Sequence, residues 1–365
     1  MEFLAVLLTS VLPKDFDHWH SQMLYGEVGV CLWISWEIFK KIHVIPAFAF
    51  LYFSTYAIVC QFRVSEFFLY AQGDLQPQFD TAVARSLVFF LMCVIPFIFC
   101  TKKSLINWLV SFRGLAVVDS IVMIYKFFFV WSITGHHATG LIGMDSIDGS
   151  FLAIMLPLVI SEETQYKKTK MVYSSLMIIA MVLAKSSTVY ALMAVELFMF
   201  LGFKFWERKN FIYLAAMAAM VSGVKPLGHL YLGKELLNSN GRENIINLSK
   251  EFFLRVHHYW LGIGTGSFIS ILPFIEGRKP SGFFVFMHSE PLQVLFEQGI
   301  FGLGLLIMVF GLMLYKSRKN YPMLVSVTVC GLQSFLQPCF RYFLFSLFMA
   351  FMCRLSLGEK ECQMR

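Results

Sequence analysis

Charge is what this sequence has least of: only 15% of its 365 residues are Asp, Glu, Lys or Arg. A soluble domain carries about 25%, so an ordinary water-soluble globular protein is excluded. Cysteine pairing is missing too. The eight cysteines fall mostly in apolar stretches, as Cys31, Cys60, Cys93 and Cys330 do, and none lies between Lys225 and Glu290. With no C-x-x-C, neither a disulfide framework nor a cysteine metal site is indicated, and a small buried hydrophobe is the better reading of each. No basic stripe interleaved with aromatics lies outside the apolar runs, so the net charge of +7 does not point to nucleic acid. Internal repeats and low-complexity tracts are also lacking.

In place of charge stand apolar residues, 58% of the chain with 40 Phe and 20 Met, and a mean hydropathy of +0.67. The bilayer is the solvent such a composition needs. Apolar segments run over Phe3–Leu12, Tyr25–Phe39, Val44–Phe62, Ala82–Cys100, Phe112–Thr134 and Phe151–Ile160. They continue over Met171–Ala184, Thr188–Phe203, Phe211–Val224, Leu292–Tyr315, Met323–Leu336 and Phe340–Leu357. This predicts about twelve helices, several shorter than the roughly 20 residues of a straight span. Phe3–Leu12 lacks a basic n-region and a small-residue cleavage site before Lys14, so it reads as a short first helix rather than a signal peptide.

Lys and Arg gather in alternate loops: Lys40 and Lys41; Lys102 and Lys103; Lys167, Lys168 and Lys170; Lys204, Arg208 and Lys209; Lys316, Arg318 and Lys319. The loops between them, Glu66–Asp80 and Asp145–Asp148, are acidic or sparse. Short-loop charge bias makes the basic side cytoplasmic, with both termini inside and the long loop outside. The expected fold is an all-α, polytopic transmembrane bundle. Residues 1–224 form its first part, 225–290 one long outward loop, and 291–365 the closing helices.

The loop is where chemistry is expected. Asn240 and Glu243 fit a capping box opening an amphipathic helix from Arg242 to Val256, with Ile245, Leu248, Phe252 and Val256 on one face. That face suits the membrane surface or the bundle. Next comes Gly262-Ile263-Gly264-Thr265-Gly266-Ser267-Phe268. Serine at 267 and the absence of a preceding strand remove the dinucleotide reading. Gly262, Gly264 and Gly266 still allow backbone N–H groups to approach an anion, and a tight turn beside the bilayer explains them equally well. His288-Ser289-Glu290-Pro291-Leu292-Gln293 then opens an apolar helix. Ser289 is a suitable N-cap and Pro291 is tolerated in a first turn. His288 would stand just outside the positive end of the helix dipole, which disfavours imidazolium and keeps a neutral base.

Taken together, Gly241-Arg242, Leu261 to Phe268, His288 to Gln293 and Glu297-Gln298-Gly299-Ile300-Phe301-Gly302-Leu303 resemble the O-antigen ligase and polymerase family, over about the last third of the chain. The resemblance implies a GT-C-like, metal-independent glycosyltransferase of the bacterial inner membrane, with the active loop periplasmic. Its donor would be an undecaprenyl-diphosphate-linked glycan and its acceptor lipid A-core or another glycan, among membrane lipids and without a cofactor. It also implies that His288 activates the acceptor hydroxyl and that Arg242 holds the diphosphate. The residue types suit that chemistry, since the attacking hydroxyl needs a proton acceptor and the departing diphosphate needs cations. Where the family carries Ser-Arg-Gly, this chain reads Ala184-Lys185-Ser186-Ser187-Thr188. Lys185 would supply charge there as a point cation, without the arginine fork.

Among other cations, Arg255 is paired at i, i+4 with Glu251, the helix-face ion pair being its simpler job, with the diphosphate as a second candidate. Arg341, after Pro338, lies deep enough to need a partner, for which the diphosphate is again a candidate. His18 and His20 flank Trp19 with Asp15 and Asp17 nearby, an interface pattern rather than a metal site. The adjacent pairs His136-His137 and His257-His258 suit no single ion. Ligation to lipid A-core is the leading expectation, repeat-unit polymerisation and protein O-glycosylation being variants of it. A transporter is the rival class. It would show paired helix interruptions in two related halves, whereas Glu196 and Lys126 are isolated charges.

Overall fold

A computed structural model describes residues 31–40, 43–68, 102–131, 139–142, 145–161, 167–205, 259–262, 264, 268, 289–337 and 343–357. Helices among them are α1 (31–40), α2 (Val44–Phe68), α3 (Lys102–Tyr125), α4 (Asp145–Ile160) and α5 (Lys167–Leu183). They continue with α6 (Ser187–Phe205), α7 (Glu290–Ser317), α8 (Tyr321–Leu336) and α9 (Phe343–Leu357). A π-helical turn, Lys126–Trp131, extends α3. No strand occurs among the described residues, so the all-α expectation holds there. The expected segments Phe3–Leu12, Ala82–Cys100 and Phe211–Val224, and the loop helix Arg242–Val256, lie outside the described residues.

Among the described residues, two helical stretches are long and apolar enough to cross a membrane, Leu105–Val130 and Glu290–Ser317. The outward faces carry the same message. Ile106, Val110, Val118 and Ile121 on α3, Val172, Ile178 and Ile179 on α5, and Ile300, Phe301 and Ile307 on α7 are all exposed. Apolar side chains pointing away from the bundle in such numbers cover it for lipid, not water.

Inside, α4 is the hub. It packs against α3, α5, α6 and α8, and Phe151, Leu152, Ala153, Ile154, Met155 and Leu158 are fully buried. A helix apolar all round must be enclosed on every side. Gly149 lets α6 come close, because a Cβ there would meet Val189 Cγ2 at 2.5 Å. An aromatic cluster ties α9 to the hub, Phe348 meeting Phe112 at 5.2 Å and Phe151 at 5.5 Å edge to face.

The helix ends sort the site. Asn320 caps α8, its side chain accepting from the Met323 N–H at 3.3 Å, so α7 and α8 form an antiparallel pair joined by a short turn. The end of α8 therefore lies beside the start of α7. There Ser146, at the start of α4, donates to Gln337 Oε1 at 3.0 Å. With Gly149 against Val189, the first turn of α6 and the Lys185 turn before it belong to this same end.

Candidate functional site

The helix α7 is broken. Gly299 has φ 69 and ψ −167 inside an otherwise helical stretch, a left-handed conformation that glycine adopts without penalty. Such a break strands backbone groups, and in hydrocarbon each one costs several kcal/mol unless another segment pairs it. Here the Tyr259–Gly264 turn does so. Ile300 N–H donates to the Tyr259 carbonyl at 2.9 Å and Phe301 N–H to the Trp260 carbonyl at 3.3 Å. In return Gly264 N–H donates to the Glu297 carbonyl at 2.8 Å. The remaining carbonyl, that of Gln298, accepts from the Tyr52 hydroxyl of α2 at 2.9 Å.

Glycine is what lets the two backbones meet. Gly262 has φ 74 and Gly264 φ 129. A Cβ on Gly262 would meet Glu297 C and Gly299 N at 2.5 Å. One on Gly299 would fall 2.6 Å from Gly262 N and closer still to the Trp260 carbonyl. Phe268, which ends the glycine segment and is fully buried, packs edge to face on Phe296 at 5.5 Å. The glycine segment and the start of α7, distant in sequence, thus form one unit. Gly262 and Gly264 serve backbone-to-backbone contact there, with the Gly264 N–H committed to Glu297.

The N-terminal part of α7 is polar yet buried. Glu290, Gln293, Glu297 and Gln298 are all buried, and the Gln293 amide donates to Glu297 Oε1 at 2.7 Å. Ser289 holds the N-cap position in extended backbone (φ −154) with proline in the first turn. The helix start expected from Ser289 and Pro291 is therefore where it was read. The Ser289 side chain itself makes no capping bond. His288, Arg242, Arg255, Arg341 and Gly266 lie outside the described residues.

A second polar region surrounds Lys185. This lysine sits in the short turn between α5 and α6 with φ 50, the one left-handed non-glycine among the described residues. The turn explains the conformation in part: helices often end on a left-handed residue, usually glycine. The Tyr190 hydroxyl closes the turn by donating to the Val182 carbonyl at 2.7 Å. A lysine here carries a strain of about 1–3 kcal/mol that glycine would relieve. Its ammonium lies 5.5 Å from the centre of the Phe127 ring, a cation–π contact with the π-helical turn after α3.

The residue before Phe127, Lys126, reaches the segment 139–142, donating to Thr139 Oγ1 at 3.3 Å and to the Gly140 carbonyl at 3.1 Å. Two buried aspartates grip the same segment. Asp148 accepts from Gly140 N–H at 2.7 Å and Ile142 N–H at 2.8 Å. Asp119 accepts from Leu141 N–H at 2.6 Å. This lattice ties α3 and α4 to the chain between them. The sequence showed Lys126 only as an isolated charge. The signal that would have found its neighbours was Asp119 inside an apolar run with Gly140 and Asp148 following.

Residues 172–307 match the model of a family described as O-antigen ligase. The matched stretch starts in α5 and ends within α7, so it takes in the Lys185 turn, the glycine segment and the Gly299 break. No curated protein matches the chain.

Proposed function

From the match of residues 172–307 to a family described as O-antigen ligase, we propose that the chain is a membrane glycosyltransferase drawing on undecaprenyl-diphosphate-linked glycan. The acceptor in this reading is a hydroxyl of lipid A-core, met at the periplasmic face of a multi-pass inner-membrane bundle with both termini in the cytoplasm. The end of the bundle holding the Lys185 turn and the start of α7 is the periplasmic one. The observation that carries the reading is the docking of Tyr259–Gly264 on α7 beside the Gly299 break. It unites two stretches that resemble the family's motifs in one hydrogen-bonded unit.

In the reaction the acceptor oxygen forms a bond to the anomeric carbon while the bond from that carbon to the diphosphate oxygen breaks. The diphosphate leaves with the electron pair, and the hydroxyl proton passes to His288, which directly precedes the N-cap Ser289. Arg242 is the first candidate for the diphosphate, by bidentate hydrogen bonds. Lys185 is the second, a compact charge held forward by its turn. Arg341 and Arg255 are further candidates. Metal and cofactor have no part in this scheme.

The test is reconstitution of the full chain in vesicles with a polyprenyl-diphosphate-linked glycan and lipid A-core. Transfer to lipid A-core is expected, with a loss of about 100-fold or more in His288→Ala. Undiminished transfer by that variant would remove the base assignment. Growth of the lipid-linked glycan instead would make the protein a polymerase, and loss of transfer on chelation would bring a metal into the scheme.

A further inference from the structure

We infer that the break at Gly299 is a positioning device for the transfer step, with Tyr52, Gly262 and Gly299 as positioning residues. The inference rests on the proposed function and on His288 as its base. A helix break needs only a kink to be tolerated, and water or a nearby hydroxyl often suffices. This one is met group by group. Ile300 N–H, Phe301 N–H and the Glu297 carbonyl all pair with the glycine turn, and the Gln298 carbonyl pairs with Tyr52. The stretch Glu290–Gln298 is thereby a short helix of its own, and the glycine turn and α2 set its direction.

That short helix is the one His288 leads into. Its polar residues Glu290, Gln293, Glu297 and Gln298 are buried, so it cannot swing without exposing or stranding them. Its orientation relative to the glycine turn is fixed by backbone contact that a single methyl would break. A base must sit within hydrogen-bond reach of the hydroxyl it deprotonates, and a displacement of about 1 Å costs about 100-fold in rate. The docked break supplies that constraint. Tyr52 extends it beyond the matched stretch 172–307, since it comes from α2 and meets Gln298 across 246 residues of sequence.

The experiment uses the reconstituted full chain with a polyprenyl-diphosphate-linked glycan and lipid A-core, comparing Tyr52→Phe and Gly262→Ala with Gly304→Ala and Gly311→Ala. The last two glycines are on the same helix α7, with open space where a Cβ would go, and they should keep the parent's kcat and KM. Tyr52→Phe removes one hydrogen bond and should lower kcat about fivefold. Gly262→Ala should lower it about 100-fold. In both, the KM for the lipid-linked donor should stay within about twofold of the parent's. Loss confined to KM, or a parental kcat in Tyr52→Phe, would overturn the inference. Should Gly262→Ala fail to fold, Tyr52→Phe alone decides. A parent chain that transfers nothing would instead sink the proposed function itself.

Discussion

Polar and irregular features occur in two regions of this bundle, and they are treated in opposite ways. At the end that holds the start of α7, nearly every such feature has a partner. The Gly299 break is met by the Tyr259–Gly264 turn and Tyr52, and Asp148 accepts two backbone N–H groups. In the interior of α4, α6 and α8 the pattern reverses. Pro157 sits inside α4. Both carboxyl oxygens of buried Glu196 and the hydroxyl of buried Ser326 have no hydrogen-bond partner among the described residues. Proline explains part of the contrast, because it removes a donor and leaves only a carbonyl unpaired. A glycine turned left-handed strands donors as well, and so demands a docked segment. Where the chain adds partners, a conformation is being held; where it adds none, polarity is merely tolerated.

The largest effect that would break this comparison is at Gly299. Gly299→Ala forces a methyl against Trp260 at a left-handed φ and should destabilise the protein by about 3 kcal/mol or more. Pro157→Ala should shift stability far less. Equal losses in chemical denaturation in detergent would abolish the distinction between the two irregularities. Next is Asp148→Ala, which leaves the Gly140 and Ile142 N–H groups without their acceptor. It should cost about 3 kcal/mol, seen as a lower thermal midpoint. A midpoint equal to the parent's would show that the aspartate lattice does not hold the 139–142 segment.

Glu196 sharpens the comparison from the other side. A buried carboxyl with no partner among the described residues is a burden, so Glu196→Leu should raise stability by about 1–3 kcal/mol and leave transfer unchanged. A drop in transfer by the folded variant would assign the glutamate work beyond the bundle's packing. The smallest effect is expected at Lys185. Lys185→Gly relieves the left-handed φ and should stabilise by about 1 kcal/mol, yet transfer should fall because a cation is lost. Parental transfer in Lys185→Gly would strike that residue from the donor site.

The sequence showed where helices lie better than where they begin. Val44 and Leu336 are helix ends read directly from hydropathy. Hydropathy alone starts α3 at Phe112 rather than at Lys102, because it registers apolar side chains and a helix needs only backbone hydrogen bonds. Ser289 and Pro291 announced α7 because capping is local chemistry. Gly299 did not announce the break, since a glycine in an apolar run reads as one more small helical residue. The Tyr52 contact has no local signature at all. It joins two turns that are unremarkable taken separately.

That contact also dates the assembly of the site. Tyr52 and Gln298 are 246 residues apart, and at about 5–20 residues per second roughly 12–50 s of synthesis separate them. Until α7 emerges, the Tyr52 hydroxyl has no carbonyl of Gln298 to meet, and the glycine turn, made just before α7, has no surface to dock on. The break in α7 closes only when α2, the turn and α7 are all in the bilayer. Completion of the site is thus a late event in biogenesis, and a chain truncated before Gln298 retains α2 and the glycine turn without the backbone on which they converge.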